Sequence, residues 1–556
     1  MRTRFEVMLV MASVGLPASA WAGDIYVDAA AAGGGDGSAA MPFSDIQAGL
    51  DLAMPGDVVH VAPGMYPAIT TVRAGMEDAR ISVVADSRRT AIVSGPGTGL
   101  QYAHDYHTFE GLVFDGGYLD EDLIVGDGGN HIEFIDVEVR RASNDCFDLR
   151  NSTDITIEGS FIHHCISVDP DTGEVDDSHG ITGDSVFDLT VRNTEIAMAS
   201  GDSVQLSPPR EPWGNLLIEG CTLWTMPNDD PDAPAPMDAP LGENAFDSKV
   251  GADLDGNGAN PRVVIRDVVA YGFVGFIGNQ TAFNLKEDVD ATVDRVTIYE
   301  SELGFRLRGP AVVKIQNAVV YGVDNVVRYE EGITGVVISN MTIGGGNGPE
   351  LFEDGGGGWV APVVENLLVL DVAPPPDANP ASSMMVGADV FIDAAGNDYR
   401  LVEGSTPIDA GVVLADVTED RDGVARPYGD GFDIGAYEWN PDTGPADSSG
   451  GDDSATGVDD TAGDGADGTA GDGASLSAGD DVGDGTDGGG TMGSGDSGEG
   501  GSGSGDDDSG GCDCRSSPRP TGAALLLLSA AGARRRGRGR ETMRDRKADS
   551  RASRSR

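Results

Sequence analysis

The stretch Glu243-Asn244-Ala245-Phe246-Asp247-Ser248-Lys249 recurs in outline along the middle of the chain. With Phe246 set against other apolar residues, five segments fall into register. These are Cys146-Phe147-Asp148-Leu149-Arg150, Ser203-Val204-Gln205-Leu206-Ser207, Ala282-Phe283-Asn284-Leu285-Lys286, Gly304-Phe305-Arg306-Leu307-Arg308 and Val326-Val327-Arg328-Tyr329-Glu330. Side chains of an extended chain alternate between faces. The aligned apolar residues would therefore share one face, and the residues one and three places later the other. The outward columns then read Asp148, Gln205, Asp247, Asn284, Arg306, Arg328 and Arg150, Ser207, Lys249, Lys286, Arg308, Glu330, with carboxylates early and cations late.

A second pattern runs beside the first, an apolar anchor followed two places later by a corner residue. It reads Phe109-Glu110-Gly111, Phe134-Ile135-Asp136, Ile157-Glu158-Gly159, Val191-Arg192-Asn193, Ile218-Glu219-Gly220, Ile265-Arg266-Asp267, Val293-Asp294-Arg295, Ile315-Gln316-Asn317, Ile338-Ser339-Asn340 and Val364-Glu365-Asn366. Successive anchors lie 25, 23, 34, 27, 47, 28, 22, 23 and 26 residues apart. A period in the low twenties, lengthened by insertions, is the signature of a solenoid. Short β-branched and aromatic runs without helical periodicity make its elements strands. Gly, Asn and Asp tolerate the left-handed backbone of a tight corner. Stacked at about 4.8 Å per coil, such units build an all-β parallel β-helix whose internal edges are all paired.

Composition bounds the rest. With 93 Asp and Glu against 36 Lys and Arg the net charge is -57, which excludes a phosphate-binding surface and hence nucleic acid as partner. Residues 1–22 read as a secretory signal peptide, basic at Arg2 and Arg4, apolar from Phe5 to Pro17, and closing on Ala20-Trp21-Ala22. Residues 23–440 can bury a core. Residues 441–511 are Gly, Asp, Ser, Thr and Ala with almost no apolar content, an acidic linker that cannot offset its ordering entropy. Residues 512–556 carry Cys512-Asp513-Cys514, the run Leu525-Leu526-Leu527-Leu528 and the cluster Arg534-Arg535-Arg536. Among Cys146, Cys165 and Cys221 not all can pair; Cys165 and Cys221 either bridge or are small buried residues. Residues 226–242, rich in Pro and Asp, read as a loop. Asp253-Leu254-Asp255-Gly256-Asn257-Gly258 has the oxygens and glycine of a calcium-loop start, but Val264 at the twelfth position; it is either a weak calcium site or a polar turn.

The opening Ile25-Tyr26-Val27-Asp28, Ile46-Gln47-Ala48-Gly49-Leu50 and Pro55-Gly56-Asp57-Val58-Val59-His60-Val61 resembles the first coil and capping helix of right-handed parallel β-helix proteins of the pectate lyase superfamily. Ile408-Asp409-Ala410-Gly411 and Asp433-Ile434-Gly435-Ala436-Tyr437-Glu438 resemble the closing segment of exported, choice-of-anchor β-helix proteins. The tail resembles myxobacterial C-terminal sorting signals, which implies a surface-sorting machinery as partner and a cell-surface or extracellular location.

Stacking should gather Asp145, Asp148, Asp202 and Asp247, with His179 in the coil between. Carboxylates at coil spacing repel unless a cation intervenes, so this group is the candidate calcium site. Lys249, Lys286, Arg306, Arg308 and Arg150, with His179, would bind an anionic sugar chain. Glu243–Lys249 and Gly304-Phe305-Arg306-Leu307 resemble strand motifs of family nine polysaccharide lyases. That resemblance implies β-elimination on an acidic polysaccharide, Asp247 on metal and Lys249 as base, with Lys286 and Arg306 beside it as further catalytic candidates. Two other readings stand: a non-catalytic surface protein that binds glycans or neighbouring cells, and a hydrolase using Asp202 and Asp247 as its carboxylate pair; under each the protein is expected to be a monomer.

Overall fold

The computed structural model describes residues 22–119, 122–206, 213–249, 260–286, 288–309, 312–358 and 360–441. The proposed signal peptide, the Asp253–Gly258 loop, and the linker and tail lie outside the described residues. Within them the chain is a parallel β-solenoid, with strand upon strand paired in parallel register and almost no helix. Two stacked ladders of short strands merge into one 24-stranded sheet, and an 11-stranded sheet forms the remaining face.

The corner pattern accounts for the winding. Every third residue of the ten quoted triplets has positive φ, between 49° for Asn193 and 68° for Gly111. Arg295 does so at 53° although its side chain gives no local help; two bonds from its guanidinium to Asp267, both 2.7 Å, hold it. The anchors before these corners form one continuous core, with Phe109, Phe134, Ile157, Val191, Ile218, Ile265 and Val293 fully buried. Each coil turns apolar residues inward and completes its backbone bonds on its neighbours, so interior packing and edge protection come from the same stacking.

Both ends are closed. The helix Ile46–Leu52 buries Ile46, Gly49 and Leu50 against the first coils, and its N-cap Asp45 accepts from the Ala48 N–H at 2.8 Å. At the other end Tyr399, Leu401, Ile434 and Ala436 pack under the last coils. There the fully buried Arg426 bonds the Glu438 carboxylate, and Ala436 N–H donates to Thr342 Oγ1 at 2.8 Å.

The cysteine reading is corrected. Cys146 pairs with Cys165, 19 residues on, while Cys221 is free and buried. The bridge joins adjacent coils at the corner where the 11-stranded sheet begins, an offset that follows from stacking rather than from sequence spacing.

Candidate functional site

The outward column of the 11-stranded sheet is continuous. Asp148 pairs with Thr182, Thr182 with Gln205, Gln205 with Asp247, Asp247 with Asn284, Asn284 with Arg306, Arg306 with Arg328 and Arg328 with Glu353. This is the column expected from the sequence, with Thr182 added from the His179 coil. Asp148, Thr182, Gln205, Asp247 and Asn284 face away from the core yet are at most 5 % exposed. This buried outward row, here called the trench, is entered along one side by three long connections, residues 166–180, 225–243 and 272–280. Thr182 Oγ1 and Asn284 Oδ1 have no hydrogen-bond partner among the described residues, and buried polar groups left so are uncommon away from functional sites.

A different array occupies the corner beside this row. Asp145 accepts from His179 N–H and pairs with His179 Nδ1, both at 2.8 Å. His179 Nε2 lies 3.8 Å from Asp202 Oδ2. Asp202 in turn accepts from Asn244 Nδ2 at 2.7 Å and from Gln205 Nε2, and Asn244 Oδ1 accepts from Thr281 N–H at 3.1 Å. The result is a polar ladder crossing five coils, hydrogen-bonded at every step but one: between His179 Nε2 and Asp202 there is only the 3.8 Å ion-pair contact. Burial works against charge on His179, but the Asp145 bond and the charges of Asp145, Asp202 and Asp177 outweigh it and lift its pKa to about 9. At neutral pH His179 is therefore a cation enclosed by carboxylates.

This geometry bears on three expectations. His179, 7 % exposed and bracketed on both ring nitrogens, is not placed to touch a substrate. Asp202 is fully buried and committed to the ladder, so it cannot serve with Asp247 as a hydrolase pair. The four metal candidates do not fit calcium either. Calcium takes six to eight oxygens, whereas Asp145 and Asp202 belong to the ladder. Asp148 is gripped by Arg150, with Nε at 3.0 Å, and Asp247 faces two ammonium groups. Among the described residues no group of three or more His, Cys, Asp or Glu side chains is arranged to hold a metal ion.

At the centre of the trench is the opening stretch itself. Lys286 Nζ reaches both Asp247 oxygens, at 2.8 and 3.1 Å, and Lys249 Nζ lies 3.5 Å from the same carboxylate. Burial and the Asp202 charge push Asp247 up, the two ammonium groups oppose them, and its pKa rests at about 6. Just before the same strand comes Glu243, a residue the sequence quoted but did not assign a role. Its backbone N–H donates to Gly201 O at 2.9 Å, while no hydrogen bond to its carboxyl is found among the described residues. Burial, reinforced by Asp202, Asp177 and Asp247 and opposed by Lys249, raises it to about 7.

The two ends of the trench differ. Toward the N-terminal coils, burial and Asp122 raise Asp148 to about 7 against the pull of Arg150. Arg150 also approaches Asp122 at 3.9 Å and keeps about half of its side chain in solvent. Toward the C-terminal coils the expected positive stripe is a lattice. Arg306 Nε and Arg328 Nε both lie 2.9 Å from Glu330 Oε1, Arg308 Nε lies 4.0 Å from its other oxygen, and Arg328 also pairs with Glu353 at 2.9 Å. Burial raises Glu330, but the bonds from Arg306 and Arg328 outweigh it and hold it below the usual range. Arg306 therefore has neither the chemistry nor the freedom of a base; it can position an anion.

No known family profile matches the chain, and no curated protein matches it. Solved structures resemble it. A pectate lyase, Pel9A, shares 16 % identity over 76 % of this chain and 97 % of that one, with a TM-score of 0.42. An alginate lyase from Paenibacillus sp. str. FPU-7 shares 17 % over 60 % and 98 %, at 0.40. A rhamnogalacturonan lyase shares 14 % over 66 % and 90 %, at 0.44. At such identities and superpositions these likenesses bear on neither substrate nor chemistry.

Proposed function

We propose that the chain is an exported carbohydrate-active protein that lays an acidic polysaccharide along the trench and cleaves it by β-elimination, with Glu243 as the proton-transfer group. The observation that carries this reading is the Glu243 carboxyl, half-buried, free of hydrogen bonds among the described residues and raised to about 7, chiefly by burial. A general base works best with its pKa near the working pH. Elimination removes a proton α to a uronate carboxylate and expels the glycosidic oxygen at the next carbon. The carbanion-like transition state needs positive charge at that carboxylate. Lys249, half-buried at the trench surface, supplies that charge, and Lys286 holds Asp247 in place beneath it. In this reading the proton-acceptor role expected of Lys249 passes to Glu243, because Lys249 pairs with Asp247 at 3.5 Å. Arg308 and the Arg306–Arg328–Glu330 lattice would steady further sugars. No step is drawn through calcium, whose expected ligands are committed elsewhere.

A second reading, glycan binding without cleavage, is favoured by one feature. Three trench arginines share Glu330, and two carboxylates in all offset their charge, leaving a surface suited to moderate recognition. Export to an oxidising compartment is supported by the Cys146–Cys165 bridge in the core; display at the cell surface rests on the tail's sequence alone.

The test is incubation of the protein with a panel of uronate polymers, with and without EDTA, following the ultraviolet absorbance of an unsaturated product. Signal that survives EDTA and is lost in Glu243→Gln supports the lyase. Binding without signal on every polymer supports the second reading.

A further inference from the structure

We infer that the polymer the trench accepts is a mixed one, in which uronates are interrupted by sugars without negative charge, and that Asp148 and its neighbours select against an unbroken polyuronate. The inference rests on the reading of the trench as a polysaccharide site, and it names the substrate class of that site.

The charge along the outward columns changes sign from one end to the other. At the N-terminal end one column runs Asp127, Arg150, Asp184, because Asp127 pairs with Arg150 and Arg150 with Asp184. Asp148, in the adjoining column, accepts from Arg150 Nε at 3.0 Å, and Asp122 Oδ2 lies 3.9 Å from the same guanidinium. Four carboxylates thus surround one cation. The exposed Asp127 also accepts from Asn151 Nδ2 at 2.9 Å, but a neutral amide leaves its charge in place. Asp145, close by, already faces His179. Toward the C-terminal coils the count reverses, with Arg306, Arg308 and Arg328 against Glu330 and Glu353.

A polyuronate carries a carboxylate on every sugar. Asp148 is three coils from Asp247, by way of Thr182 and Gln205, which is about 14 Å at the usual spacing of paired strands. A polymer seated on Lys249 and continuing toward the N-terminal coils therefore brings a sugar over Asp148. An anion there meets like charge in a largely buried setting, where salt screens little. A sugar bearing hydroxyls does not, because carboxylates accept from hydroxyls. Thr182 Oγ1 adds a second group for such a sugar: the residue is 4 % exposed, stands beside Asp148, and its hydroxyl has no hydrogen-bond partner among the described residues. A homopolymer has no register that keeps carboxylates away from this end. A mixed polymer has one, with its uronates on Lys249 and the arginines.

The titratable groups facing Asp148 are Asp122 and Asp127 from the preceding coil, Asp145 and Arg150 on its own, and Asp184 from the next. Burial and Asp122 raise Asp148 to about 7 against the pull of Arg150. Its charge is therefore complete only above neutral pH, and the selection is strongest there.

The experiment measures equilibrium binding by the full chain carrying Glu243→Gln, so that the ligand is not consumed. The probes are oligosaccharides of matched length from polygalacturonate and polymannuronate, and from hyaluronate and unsulfated chondroitin, in which uronate alternates with an uncharged N-acetylhexosamine. At pH 8 the mixed oligomers bind tighter than the homopolymers by about tenfold, the scale of a like-charge contact. The ratio narrows at pH 6, as Asp148 takes up its proton. Asp148→Asn tightens homopolymer binding and erases most of the ratio, while the mixed oligomers change by less than about twofold. Asp127→Asn, at an exposed position, acts in the same direction by less and guards against a folding defect at the buried one. Arg308→Gln weakens both classes alike. Homopolymers that bind as tightly as the mixed oligomers overturn the inference and leave a polysaccharide trench in place, as does a ratio unmoved by both Asp148→Asn and Asp127→Asn. Binding of neither class removes the trench reading and the inference with it. Cleavage by Glu243→Gln takes the proton-transfer role from Glu243, and the same ratio is then read from initial rates.

Discussion

Two polar arrays lie side by side on the same coils. The corner ladder from Asp145 through His179 and Asp202 to Asn244 is closed, each charge facing an opposite one, with His179 and Asp202 buried and Asp145 partly so. The trench rung of Glu243, Asp247, Lys249 and Lys286 is open: Asp247 is matched by two ammonium groups, while the Glu243 carboxyl is left without a hydrogen bond. A closed array of buried charge orders the fold and has nothing left to offer a ligand. An open one retains groups that a substrate can complete.

This contrast can be broken most forcefully at Asp202. Asp202→Ala strands the His179 cation and the Asn244 amide inside the corner, and a loss of roughly 3–5 kcal/mol is expected in chemical denaturation. A variant within 1 kcal/mol of wild type would show that the ladder is not closed. Cys146→Ala comes next, because a bridge closing a loop of this size restrains the unfolded chain by about 3 kcal/mol. Reduction of the wild type should lower the denaturation midpoint to the same value.

The pH dependence of stability sharpens the comparison further. His179 is raised to about 9, so the stability it contributes is fully present below its unfolded pKa and is lost as pH rises through 9. Glu243 and Asp247 are raised to about 7 and 6, so the folded state also holds their protons longer, and stability again falls as pH rises through those values. Thermal unfolding should therefore show decreasing stability from pH 5.5 to 9.5, with the part above pH 7 missing in His179→Gln. The smallest effect is expected in the open rung. Lys249→Ala removes a half-exposed partner of Asp247 and should change stability by less than about 1 kcal/mol while abolishing turnover. A large loss of stability there would make the rung structural too.

The sequence carried the winding because winding is local chemistry. Gly111, Asp136, Asn193 and their counterparts mark corners by their tolerance of positive φ, and the aligned Phe147, Phe246 and Phe283 set the register that places Asp247 beside Asn284. Which Asp is closed and which open was not legible, because that depends on side-chain neighbours in adjacent coils. Asp202 and Asp247 are the same residue type in related columns, yet one meets His179 and Asn244 and the other two lysines. Glu330 stood in the outward column as a single acidic residue, and only stacking reveals that it gathers three arginines. Glu243 was hidden for the same reason: its environment is made by Asp177 and Asp202, far away in the chain.

The central claim is that Glu243 is the titrating group of an open site, and the pH dependence of uronate-polymer cleavage tests it most directly. The rate should rise through an apparent pKa near 7, persist in EDTA and vanish across the whole pH range in Glu243→Gln. A profile that Glu243→Gln leaves unchanged, or activity that EDTA abolishes and calcium restores, would contradict it.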